Sequence, residues 1–159
     1  MTIDEINNLI KMAHYSSSQN ILEFKGDYRY LSNMYKVFFR IDGTLYLSVE
    51  HWYQANKTTN PDIYDSIRKC STPYEAKTVG NQIIEIRPDW DDIKLDIMYK
   101  GVHAKFSQNR DLKSKLLSTR GLLVEGNTWG DQYWGICKGI GENHLGKILV
   151  RVREELRGL

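Results

Sequence analysis

The stretch SVEHWYQANK, residues 48–57, is where the chain stops reading as strand and begins to read as helix. Ahead of it, two β-compatible runs, Lys36–Ile41 and Thr44–Leu47, flank Asp42-Gly43, a dipeptide that accepts the positive φ of a tight hairpin turn. Ser48 then offers an N-cap hydroxyl for a helix predicted from Val49 to about Thr58. In that helix Glu50, Gln54 and Lys57 stand at i, i+4 and i+7 and share one face. An acid, an amide and a cation in line near a helix start suit a polar, phosphorylated ligand. The same row on a solvated face would be ordinary surface. His51, Trp52 and Tyr53 ring the row with aromatics, which speaks against a solvated face.

Outward from this point the pattern is helical. Pro61–Lys69 reads as a short helix, and Thr72-Pro73-Tyr74-Glu75 combines a capping box with proline at the first helical position. After Arg87-Pro88-Asp89-Trp90 comes the longest amphipathic segment, with Ile93, Ile97, Gly101 and Ala104 on one row and Met98, Val102 and Phe106 beside it. Asn109 is the expected cap of a helix over Arg110–Ser118, and Asn143 of a last helix whose inward face is Leu145, Ile148, Leu149, Val152 and Leu156. At the start, Thr2-Ile3-Asp4-Glu5 has capping-box form, with Ile3, Ile6 and Ile10 at helical spacing, before a polar break over His14–Asn20. The organisation is therefore an N-terminal helical extension, residues 1–20, and one compact domain, residues 21–159, mainly α (α+β) with a small antiparallel β element.

Bulk properties narrow the function. A length of 159 residues suits a single domain with a real core, and a net charge of +2 gives no general attraction to nucleic acid or membrane. There is no apolar run of transmembrane length and no signal-peptide pattern over Met1–Met12. Two cysteines, Cys70 and Cys137, suit a reduced compartment better than a disulfide scaffold, so a cytoplasmic protein is expected. His51, His103 and His144 lack metal-ligand spacing, so neither a metal nor a cofactor is expected. Gly-Ile-Gly-Glu-Asn at 139–143, ahead of a helix, reads equally as an anion-binding turn or as a flexible lead into an Asn cap. It is not a dinucleotide fingerprint, because no strand-led Gly-x-Gly-x-x-Gly accompanies it.

LVEGNTWGDQYWGI, residues 123–136, fits neither a helix nor a strand period. It puts Trp129 and Trp134 around Asp131 on glycine-rich backbone, where the chain can approach a ligand and an indole can stack on a flat heterocycle. With Glu50, Asp131 makes a candidate carboxylate pair of the kind used to break bonds at an anomeric carbon. The competing reading makes both tryptophans hydrophobic plugs.

Taken together, EFKG at 23–26, LSNM at 31–34, SVEHWYQANK at 48–57, RPDW at 87–90, AKFSQN at 104–109, VEGNTWGDQYWG at 124–135 and GIGENHLG at 139–146 resemble the NADAR (YbiA-like) family in order and spacing. The resemblance spans about Ile21 to Leu156. It implies a mostly helical domain with N-glycosidase activity, acting on ribosylamino-pyrimidine phosphates of early riboflavin synthesis or on ADP-ribose attached to guanine in nucleic acid. Partners are thus a small ribosylated molecule or ADP-ribosylated nucleic acid; oligomeric state is not legible. Catalytic positions fall on Glu50, Asp131 and Lys57, and substrate-binding positions on Asn33, His51, Gln54, Trp90, Asn127, Trp129, Trp134 and Gly135. The resemblance would have Trp90 and Trp134 sandwich the base, Glu50 meet the positive ribose and Asp131 protonate the leaving nitrogen, with the reverse pairing open. Lys57 would hold phosphate or attack as an amine. Met34 replaces a usual aromatic and His103 a usual arginine. A non-catalytic ADP-ribose or nucleotide-binding module is the alternative. Lys105, Lys113, Lys115 and Arg120 are candidates for a local basic track toward nucleic acid.

Overall fold

The structure, a computed structural model, describes residues 2–6 and 19–158, which form two compact units. One is residues 33–113; the other joins residues 1–32 to 114–159. The architecture is mainly helical with a small antiparallel two-stranded sheet.

In the 33–113 unit, β1 (Phe39–Ile41) and β2 (Thr44–Tyr46) pair antiparallel, with Phe39 opposite Tyr46 and Ile41 opposite Thr44. Asp42 and Gly43 make the turn at φ 50 and 79, as the two-residue loop demands. Helix α1 (Val49–Ala55) follows, its first turn closed by the Ser48 hydroxyl accepting from the His51 N–H. Every residue of α1 is buried, so a segment with no solvent face holds a two-turn helix together by packing. It touches α2 (Pro61–Arg68), α3 (Pro73–Asn81) and α4 (Trp90–Gln108), as well as β2. Ala55, Ile67, Cys70 and Ala76 form the core where α1, α2 and α3 meet. Trp52 locks α1 to α4 through an indole N–H donated to the Ile97 carbonyl at 2.7 Å.

Two expectations are corrected here. The α1 helix ends at Ala55 rather than near Thr58, because Asn56 closes it with its side-chain amide on the Trp52 carbonyl. Lys105 belongs to no surface track. It lies on the inner face of α4, 1% exposed, with its ammonium 5.7 Å from the centre of the Tyr35 ring. Asn109 stands just ahead of the next helix, as expected, and its amide turns back onto the carbonyls of Lys105 and Phe38, fastening the end of α4 to the hairpin. Helix α5 (Arg110–Ser118) then begins with the Lys113 N–H on the Asn109 carbonyl.

In the other unit a 3₁₀ turn covers Gly26–Leu31, and β3 (Gly126–Asn127) pairs in parallel with β4 (Ile136–Cys137). Helix α6 (His144–Arg157) buries Leu145, Ile148, Leu149, Val152 and Leu156, the face its spacing predicted. The capping box at Thr2 forms in both directions, the Thr2 N–H on the Glu5 carboxylate at 2.6 Å and the Glu5 N–H on the Thr2 hydroxyl at 3.1 Å. Ile6 is buried with Val124 and Ile136. Ile10 and most of the polar break from His14 lie outside the described residues. No described helix is long and apolar enough to cross a membrane.

Candidate active site

Glu50 is the centre of the site within the 33–113 unit. The N-cap places it in the first turn of α1, where its backbone N–H donates to the Asn33 carbonyl at 3.2 Å. Its carboxylate is 7% exposed and accepts from Gln54 Nε2 at 2.7 Å, the i+4 amide that the spacing predicted. The Asn33 amide reaches Met98 Sδ on α4 at 3.3 Å, so the loop carrying the carbonyl is itself anchored. Glu50 is thereby held from both sides of its own residue, by backbone and by side chain.

Lys57 sits past the end of α1, not on its face, but its ammonium still feels Glu50. Burial pushes the Lys57 amine below its ordinary pKa, and the Glu50 charge pulls it back up. Its Nζ lies 5.4 Å from the centre of the Tyr53 ring, and Trp90 leans on that same ring, centroid to centroid 5.1 Å. The RPDW motif closes the group: the Arg87 N–H donates to the Lys57 carbonyl at 2.8 Å and the Trp90 N–H to the Arg87 carbonyl at 3.1 Å. Tyr53 is thus a site residue that sequence reasoning passed over. Its adjacency to Trp52 and His51 marked it only as one aromatic among three.

His51 is corrected. It is fully enclosed, and both ring nitrogens are taken, Nδ1 by the Ser48 hydroxyl at 2.7 Å and Nε2 by the Cys70 carbonyl at 2.9 Å. A carbonyl only accepts, so Nε2 carries the proton and Nδ1 accepts from Ser48. Enclosure holds the imidazole below its ordinary pKa. No atom is left for a ligand, and His51 is a structural link between α1 and the loop after α2.

The residues from 123 to 136 form an ordered loop in the other unit. Asp131 Oδ1 accepts from the Tyr133 N–H at 3.1 Å and the Trp134 N–H at 2.9 Å. Asn127 does the complementary work: its Oδ1 accepts from the Asp131 N–H at 3.0 Å, and its amide donates to the carbonyls of Asp131 and Ile136. Its side chain is committed to the loop, not to a ligand. Gly135 packs where a Cβ would strike the Glu125 carbonyl, which accounts for its glycine without a substrate. Trp134 is half-buried, edge-on to Tyr133 at 4.8 Å and near His144 at 6.3 Å; Trp129 is 59% exposed.

The GIGEN turn directs most of its amides inward on the loop. The N–H groups of Ile140, Glu142, Asn143, His144 and Leu145 donate to the carbonyls of Cys137, Gln132, Gly135, Tyr133 and Trp134. Of the turn's own five amides, those of Ile140, Glu142 and Asn143 are thus spent on carbonyls, which leaves few for a phosphate. Asn143 stands at the start of α6 as expected but does not cap it with its side chain. In the left-handed region at φ 52, it accepts from the Glu125 N–H at 3.1 Å and donates to the Leu123 carbonyl at 3.0 Å, stapling the start of the loop to the head of α6. Both cysteines are buried, and burial raises the Cys70 thiol. Among the described residues no cluster of histidine, cysteine and carboxylate fits a metal.

A buried carboxylate steadied by an amide, set beside a partly buried amine and a pair of aromatic rings, is the candidate site of this unit. Residues 20–157 match the NADAR domain, and the chain belongs to that family. It is 39% identical over 124 residues to N-glycosidase Npun_R5314 of Nostoc punctiforme, covering 75% of this chain and 80% of that one. It is 36% identical over 123 residues to the chloroplastic riboflavin biosynthesis protein PYRR of Zea mays, covering 70% of this chain but 20% of that protein. The fold is similar to the NMR structure of the Escherichia coli protein YbiA, with a TM-score of 0.79 and 33% identity over 87% of this chain and 83% of that one.

Proposed function

We propose that this chain is an N-glycosidase that hydrolyses the C1–N bond between ribose and a nitrogenous base, and that it acts on a small ribosylamino-pyrimidine phosphate. The observation that carries the reading is Glu50, a buried carboxylate held by Gln54 and Asn33 and electrostatically coupled to Lys57. The relatives named N-glycosidase support the reaction, and the relative named for riboflavin biosynthesis supports the substrate class.

As the C1–N bond breaks, its electron pair leaves with the nitrogen and positive charge gathers on the ribose. A carboxylate fixed in a water-poor site stabilises that charge without having to reorganise. The water oxygen then bonds to C1 and Glu50 takes the water proton, while the leaving nitrogen takes up a proton from an acid, the role for which the family resemblance offers Asp131. For stacking on the base the family resemblance offers Trp90 and Trp134. Lys57, depressed by burial, is suited to act as an amine on the opened sugar, whereas a fully charged Lys57 would serve as a phosphate holder.

The test is mass-spectrometric turnover of a ribosylamino-pyrimidine phosphate by wild type and Glu50→Gln, which keeps the shape and the Gln54 contact. Loss of the carboxylate should lower kcat by about 10²–10⁴-fold with the melting temperature preserved. Full turnover by a folded Glu50→Gln protein would remove the carboxylate role. Release of ADP-ribose from ADP-ribosylated guanine in DNA, with the small substrate untouched, would move the substrate class. Thermal stabilisation by either ligand without product would favour a binding module.

A further inference from the structure

We infer that a polar cleft at the C-terminal ends of α5 and α6 is a phosphate-binding site, separate from every residue assigned to the glycosidase chemistry. The cleft has a volume of about 450 Å³ and is lined chiefly by Thr119, Arg120, Arg153, Glu154 and Arg157. Three guanidinium groups thus face one carboxylate, leaving two positive charges in excess.

The three arginines are not equivalent. Arg153 forms the floor, its side chain 7% exposed, donating from Nε to Glu154 at 3.2 Å, from one terminal nitrogen to the Thr119 hydroxyl at 3.2 Å and from the other to the Gly121 carbonyl at 3.0 Å. Arg157 donates to both oxygens of the same Glu154 at 2.9 and 3.1 Å and to the Leu117 carbonyl at 3.1 Å. A plainer account would make these two arginines caps for the carbonyls that α5 leaves open. It covers Arg153 and Arg157 but leaves Arg120 without a purpose. Arg120 is exposed at the rim and has no hydrogen-bond or ion-pair partner among the described residues.

Charge and donors then point the same way. A guanidinium carries five N–H donors, and the three bonds of Arg153 leave it two to spare. One shared carboxylate offsets only one of the three guanidinium charges, so the cleft keeps a net positive field. The planar donor fork of arginine matches phosphate oxygens in pairs. The ligand class is a phosphate group, whether a free phosphate monoester or a phosphodiester of a nucleic-acid backbone. The inference stands whether or not the glycosidase reading does.

The experiment is an NMR titration of the arginine Nε–H signals in the full chain, once with inorganic phosphate and once with a short single-stranded DNA oligonucleotide. Saturable shifts are expected at Arg120, Arg153 and Arg157. The Arg120→Glu variant should weaken them about tenfold or more and, for the oligonucleotide, lower the salt slope by about one. Because Arg120 is exposed and unpartnered, that variant should keep the wild-type melting temperature. Saturation by phosphate alone assigns the site to small phosphate anions, and tighter saturation by the oligonucleotide assigns it to a backbone; either supports a phosphate site. Unmoved Nε–H signals in both titrations, or shifts that Arg120→Glu leaves intact, would overturn it and leave the arginines as helix caps.

Discussion

Gln54 donates its amide to Glu50 across 2.7 Å, while its own side-chain oxygen has no hydrogen-bond partner among the described residues and faces Gly80 on α3. The amide orientation follows from this, because an ionised carboxylate accepts only and must meet the NH₂ end. The cost is a buried carbonyl oxygen left without a donor, tolerated where a glycine lets the backbone come close. Gly80 is therefore part of how the Glu50 carboxylate is aimed.

A Cβ at Gly80 would land on the Gln54 side chain, from its oxygen back to its own Cβ. Gly80→Ala should therefore force Gln54 out of its seat, destabilising the protein by about 1–3 kcal/mol. It should also reduce kcat more than KM, since Glu50 loses its orienting donor. Denaturant unfolding and turnover measured on the same preparation check both halves. A Gly80→Ala protein with wild-type stability and wild-type kcat would show that Gln54 positions nothing.

The enclosed His51 predicts a pH dependence of stability. Its folded pKa lies below the ordinary value of 6.5, so the unfolded chain takes up a proton that the folded one resists. Stability is then full above the unfolded pKa and is lost as pH falls below it, down to the folded pKa. Denaturation midpoints followed from about pH 7.5 down to 5 should decline for wild type. In His51→Gln that part of the decline should vanish at the expense of a lower plateau. An equal slope in both proteins would assign the decline to other groups.

Much of this was legible from residue order. Helix starts were readable because Ser48 and Thr72 carry short side chains whose caps are local: each accepts from an N–H three residues on. The Glu50–Gln54 pair was legible for the same reason, one helical turn. Helix ends were not, since Asn56 closes α1 with a bond back to Trp52 that competes with continuation to Thr58. Contacts across long sequence intervals were also hidden. Nothing near Asn143 announces bonds to Leu123 and Glu125, and nothing near Gln54 announces Gly80. Lys105 was misread because a lysine's charge is visible in sequence and its enclosure is not.

The Glu50 charge should set part of the Lys57 pKa. The Glu50 charge raises the Lys57 pKa against the larger lowering by burial, so Glu50→Gln should drop the lysine further below its ordinary 10.5. The ¹³C-methyl signal of reductively methylated Lys57, followed against pH in wild type and Glu50→Gln, reads this directly. An unchanged midpoint would mean that the two groups are screened from each other. Borohydride added during turnover separates the two roles of the lysine: an adduct on Lys57 marks an amine nucleophile, and its absence a phosphate holder.

Asp131 carries the sharpest test of what the tryptophan loop is for. Its Oδ1 accepts from two backbone N–H groups, at Tyr133 and Trp134, which is enough to explain an aspartate here without any chemistry. Asparagine at this position keeps an oxygen that can accept both bonds, whereas alanine keeps none. If the carboxylate delivers the proton to the leaving nitrogen, Asp131→Asn should hold wild-type stability and lose turnover by about 10²–10⁴-fold. Asp131→Ala should lose turnover and also about 1–3 kcal/mol of stability, as two half-buried donors go unpaired. Should Asp131→Asn turn over like wild type while Asp131→Ala is merely unstable, the aspartate shapes the loop that presents Trp134, and the proton for the leaving nitrogen comes from another group.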